Sequence, residues 1–75
     1  MIMEMNVKFY FEPLKGRNYE QKHTLLADWF CHSQEEIKSQ TIGMVMGARL
    51  KYKRFRVSVY NAETGELIHG TVNYN

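Results

Sequence analysis

Residues 2–12 alternate between two sets of side chains: Met3, Met5, Val7, Phe9 and Phe11 against Glu4, Asn6, Lys8, Tyr10 and Glu12. Successive strand side chains point to opposite faces, so this period of two predicts a half-buried strand. Pro13 and Gly16 end it, and Lys15, Arg17 and Asn18 supply a polar turn. Residues 19–31 fit two patterns. As a strand, His23, Leu25, Ala27, Trp29 and Cys31 share one face; as a helix, Leu25, Leu26, Trp29 and Phe30 cluster. The short preceding turn and the aromatic content favour the strand over the helix.

A helix is marked more sharply after it. Ser33 followed by Glu36 is a capping-box pair, and Glu35 and Glu36 suit the positive end of a helix dipole. Ile37, Thr41, Met44, Val45 and Ala48 recur at helical spacing up to an end near Gly47–Leu50, where Arg49 and Lys51 complement the negative end. Gly43 and Gly47 each cost about 1 kcal/mol relative to alanine, so a close approach of helix to sheet is the expected reason for them. Phe55, Val57 and Val59 then alternate with Arg54, Arg56, Ser58 and Tyr60. Asn61–Gly65 makes a turn, and residues 66–74 form the return strand. The reading is a single α+β domain over residues 1–75: a four-stranded antiparallel sheet with one helix packed on one face, in the order ββαββ.

Composition supports a folded chain. At 75 residues, 44% apolar and 24% charged, it is globular in character, with one modest core. A lone cysteine, Cys31, cannot staple it and suits a reducing compartment. No run approaches the roughly 18 apolar residues of a membrane span, and the N-terminus lacks a signal-peptide pattern. A cytoplasmic protein is expected, with no membrane partner.

Catalytic constellations are not legible. Cys31 and His32 are adjacent and point oppositely on an extended chain, while His23 lies far along it. One cysteine and three scattered histidines lack zinc-ligand spacing. Glu35 and Glu36 are explained by capping. The expectation is a protein that is not an enzyme, with no catalytic residue, metal or cofactor.

Charge changes the picture. Residues 47–60 hold Arg49, Lys51, Lys53, Arg54 and Arg56 with no acid, although the net charge is only +2. One helix covers one face of a four-stranded sheet, so a face built from Val7, Phe9, Phe11, Leu25, Trp29, Phe55, Val57 and Val59 leaves the opposite face open. That open face would carry Lys8, Tyr10, Leu26, Phe30, Tyr52, Arg54, Arg56 and Tyr60. The candidate binding set is Lys8, Tyr10, Phe30, Lys51, Tyr52, Lys53, Arg54, Arg56 and Tyr60. Tyrosines interleaved with arginines suit a protein interface, and they also suit stacked bases and phosphates. Leu26 and Phe30 favour a protein partner, or a second copy of the chain through the open face or an edge strand.

The helix and the final hairpin, Arg54–Tyr60, Asn61–Gly65 and Glu66–Tyr74 with its turn Glu63-Thr64-Gly65-Glu66, resemble the layout of compact phage-encoded inhibitors such as small type I anti-CRISPR proteins. The resemblance covers roughly the second half of the chain and transfers no functional residue. It implies a mobile-element inhibitor or accessory factor whose basic or aromatic sheet surface docks on a nucleic-acid-handling complex.

Overall fold

In a computed structural model, which describes residues 2–74, the chain forms β1 (Ile2–Lys15), β2 (Asn18–Tyr19), β3 (Thr24–Ser33), α1 (Gln34–Ala48), β4 (Phe55–Asn61) and β5 (Leu67–Asn73). It is an α+β domain with one helix on a curled antiparallel sheet. β1 is central, flanked by β3 and β4, and β5 lies beyond β4. The four-stranded plan is modified by the two-residue β2, which pairs Leu14 with Tyr19 and Lys15 with Asn18. Gly16 makes that tight return possible at φ 67°, in the left-handed region glycine adopts freely. Residues 24–33 are extended throughout, so the ambiguous segment is a strand over most of its length. No helix among the described residues is long and apolar enough to cross a membrane.

The core lies between α1 and the sheet in two groups. Val7, Phe9, Cys31, Ile37 and Val59 form one; Phe11, Val45, Phe55 and Val57 form the other, and Met44 packs against both. The helix begins where the sequence places it. Ser33 is extended and its hydroxyl accepts the Glu36 amide at 3.2 Å, while Glu36 Oε1 accepts the His32 amide at 2.6 Å. Past Ala48 the chain unwinds through a turn, with the Tyr52 amide reaching back to the Ala48 carbonyl at 2.9 Å.

Two departures from simple alternation matter for the surface. β3 carries an extra residue opposite β1: Phe9 pairs with Ala27, but Tyr10 pairs with Leu25. Paired residues in an antiparallel ladder share a face. Leu25 therefore moves to the face of Tyr10, away from the helix, and Leu26 moves to the helix side; both expectations are reversed by this one bulge. Trp29, opposite Val7, does stand on the helix face, yet it is half-exposed because α1 leaves that edge of the sheet uncovered. The glycines are the second correction. A Cβ added at Gly43 or Gly47 would meet nothing within 4 Å, so neither permits a close approach within this chain.

Candidate functional site

The second face of the sheet is closed at its centre. Glu12, on β1, is fully buried there and is encircled by donors. Arg56 donates from Nε and Nη2 to Glu12 Oε1, each at 2.8 Å. Ser58 Oγ also donates to Oε1, and Tyr60 Oη donates to Oε2. The Lys22 amide completes the ring at 2.9 Å from Oε2. Register explains the convergence: Glu12 lies opposite Arg56, Tyr10 opposite Ser58 and Lys8 opposite Tyr60, so all six positions share one face of the β1–β4 ladder.

β2 and the segment after it lie over this cluster. Arg56 stands 5.0 Å from the Tyr19 ring, and Lys22 Nζ stands 4.8 Å from the Tyr60 ring. Lys22 takes φ 54°, a left-handed conformation unusual for a residue other than glycine, and the hydrogen bond its backbone N–H donates to Glu12 holds it there. Burial pushes the Glu12 carboxyl up, but the bonds from Ser58, Tyr60, Lys22 and Arg56 together outweigh it and hold the group below the ordinary carboxylate range. Burial, the bond to Glu12 and its charge push the Tyr60 phenol up to about 12. This cluster is saturated: among the described residues, no buried side-chain nitrogen or oxygen lacks a partner.

The nine candidate binding residues are consequently divided. Lys8 and Tyr10 are half-buried on the second face, with Tyr10 edge-on to Tyr60 at 5.6 Å. Phe30 is exposed on the same face and meets the His32 ring at 5.1 Å. Arg56 and Tyr60 are drawn inward to Glu12. Lys51, Tyr52, Lys53 and Arg54 all precede β4, so Tyr52 and Arg54 are not on the third long strand as alternation placed them. Tyr52 stacks against Phe11 on the helix side at 4.7 Å, and Lys53 is anchored through its carbonyl by Asn73 Nδ2 at 2.6 Å.

The helix side offers the open feature. A groove of about 640 Å³ runs between the start of β3 and the C-terminal half of α1. Leu26 and Thr24 line one wall, Met44, Gly47 and Ala48 the other, and Phe11 with Tyr52 lies along the base. Phe11 also packs on Phe55 at 5.2 Å, so the base is continuous with the core. Lys51 and His23 stand at the rim. Among the described residues, no ion pair engages Arg49, Lys51, Lys53 or Arg54. The groove is therefore apolar inside, with Lys51 as an unpaired cation at its rim. The outward side of α1 extends this apolar character through Ile42 and Met46, both exposed.

Sequence reasoning missed Glu12 because alternation assigns it to the polar outer set; only the register with Arg56 and Ser58 reveals its burial. It missed the groove because β3's bulge hides Leu26. One signal was present: two glycines in the predicted helix, one of which, Gly47, lines the groove.

Among the described residues, no cluster of three histidine, cysteine, aspartate or glutamate side chains is placed to hold a metal. The Cys31 thiol is buried, and burial with the nearby Glu36 carboxylate pushes its pKa up, which favours the protonated form. No protein-family model matches this chain, and no curated protein or solved structure matches it.

Proposed function

We propose that this chain is a non-enzymatic protein-binding module that takes an apolar, acid-flanked segment of a partner protein into the groove between β3 and α1. The observation that carries this reading is the groove itself: an open apolar channel over Phe11, walled by Leu26 and Met44, with the unpaired Lys51 at its rim. Leu26 and Tyr52 would supply the desolvated contact. Lys51 at the rim, with Arg49, Lys53 and Arg54 nearby in sequence, selects acidic flanks through charge complementarity. On the resemblance to compact phage-encoded inhibitors, the partner class is a protein of a nucleic-acid-handling complex, and the module acts as inhibitor or accessory factor.

Direct nucleic-acid binding through the basic sheet face is the weaker reading. The Arg56 charge is already met by Glu12, and Tyr60 is 5% exposed, so two of its stacking and phosphate contacts are withdrawn. Selection from a random-peptide display library tests the proposal. The expected result is enrichment of apolar cores flanked by Asp or Glu, with binding weakened about tenfold, a loss of about 1.4 kcal/mol, by Leu26→Ala and reversed in charge preference by Lys51→Glu. No enrichment, or tight binding of single-stranded DNA or RNA with a steep loss on adding salt, overturns it.

A further inference from the structure

The segment that leads into β3 joins the two faces of the sheet. Phe11 and Glu12 are neighbours on β1 and point to opposite faces, Phe11 to the base of the groove and Glu12 into the sealed cluster. Lys22 and His23 repeat that division. The Lys22 amide donates to Glu12 Oε2 at 2.9 Å, and the His23 ring stands edge-on to the Phe11 ring at 6.4 Å. His23 Nδ1 lies 2.8 Å from Thr24 Oγ1, and its Nε2 lies 3.4 Å from Glu20 Oε2. His23 and Thr24 both line the groove, so its wall at the start of β3 is continuous with the residue that Glu12 holds. The Glu20 amide is tied to the Pro13 carbonyl at 2.9 Å, and Thr24 is tied by its place opposite Phe11 in the ladder. Between those two points, among the described residues, the Lys22–Glu12 bond alone fastens the backbone to the sheet. It does so at φ 54°, a conformation that lysine keeps only where something holds it.

We infer that Glu12 is a positioning residue for the groove on the opposite face: through the Lys22 amide it fixes His23 and Thr24 as the wall that receives the partner segment. The inference rests on the groove reading and adds to it a determinant that never touches the ligand. The two carboxylate oxygens divide the work. Oε1 takes Arg56 Nε, Arg56 Nη2 and Ser58 Oγ, whereas Oε2 takes Tyr60 Oη and the Lys22 amide. That division determines what Glu12→Gln does. The donors from Arg56 and Ser58 keep the amide oxygen at the Oε1 position, so the amide nitrogen faces the Lys22 N–H, a donor against a donor. The cluster retains its Arg56 and Ser58 bonds, and Lys22 loses its acceptor. Released, Lys22 leaves the left-handed region, and His23 and Thr24 move with it. Tyr60→Phe is the complementary change. It removes a bond from the same cluster but leaves the Lys22 acceptor, and the ring beneath Lys22 Nζ, in place.

Amide hydrogen exchange and chemical shifts of the isotope-labelled full chain, first without ligand, test the positioning. Glu12→Gln is expected to speed exchange of the Lys22 amide at least about tenfold and to shift His23 and Thr24, with Met44 and Gly47 unmoved. Tyr60→Phe is expected to leave these signals as they are in the wild-type chain. Affinity for a library-selected, acid-flanked apolar peptide is then measured. The expected result is binding weakened about tenfold by Glu12→Gln and unchanged by Tyr60→Phe, with the same circular dichroism for all the chains. Coupling is reciprocal, so saturating peptide should slow Lys22 exchange in the wild-type chain, a measurement that needs no substitution. A Lys22 amide as protected in Glu12→Gln as in the wild type overturns the inference. So does equal weakening of peptide binding by both substitutions, which assigns the cluster to overall stability alone, or exchange at Lys22 indifferent to bound peptide. Failure of the wild-type chain to bind any peptide overturns the groove reading instead, and the ligand-free exchange then decides whether Glu12 sets the wall.

Discussion

Glu12 is the residue on which one face of the molecule turns. A buried carboxylate survives only with its hydrogen-bonding capacity filled, and here four groups fill it. Glu12→Ala leaves the Arg56 guanidinium and two hydroxyls without their acceptor, so a loss of about 3–5 kcal/mol in urea unfolding is expected. The pH dependence follows from the same bonds. The carboxyl is held below its unfolded value of about 4.3, so its contribution is fully present above that pH and is lost as pH falls through the folded value. Glu12→Gln should flatten this acid limb. Tyr60 acts at the other end: its pKa is raised to about 12 from about 10, so its contribution is intact below pH about 10 and disappears between about 10 and 12. Unfolding midpoints measured across both ranges check both signs, and Tyr60→Phe should remove the alkaline slope.

At the scale of elements, the helix start was legible because Ser33 and Glu36 are local in sequence, and local chemistry survives folding. Ser33→Ala should cost about 1 kcal/mol by removing the acceptor of the Glu36 amide. The strand alternation of β1 and β4 was legible for the same reason, and it fixes Val7, Phe9, Val57 and Val59 in the core. The face assignments on β3 were not. A single extra residue on β3, opposite the step from Phe9 to Tyr10, exchanges Leu25 with Leu26, and a bulge depends on pairing partners that periodicity does not contain. Gly43 shows the converse. Its helical position was readable, but its purpose required the structure, which leaves the space around it empty. Gly43→Ala is therefore expected to stabilise the chain by up to about 1 kcal/mol, seen as a rise in thermal midpoint. A fall would mean that the helix does pack closely there.

Over the whole molecule, the basic segment and the sheet face separate. The charge run was legible in the sequence. Its location was not, because Lys51–Arg54 form the turn between α1 and β4, which brings Lys51 and Tyr52 to the helix side while Arg54 lies beside Leu14 and Tyr19. The two faces consequently have different characters. One is sealed by the Glu12 cluster under the segment that carries Tyr19 and Lys22; the other keeps an open apolar groove beside Lys51. Recognition, as proposed, falls at the groove. Titration of the isotope-labelled chain with a library-selected, acid-flanked apolar peptide, followed by amide chemical shifts, tests this most directly. The account predicts shifts at Leu26, Gly47, Lys51 and Tyr52, with Lys8, Tyr10 and Phe30 unmoved. Shifts confined to Lys8, Tyr10 and Phe30 would contradict it.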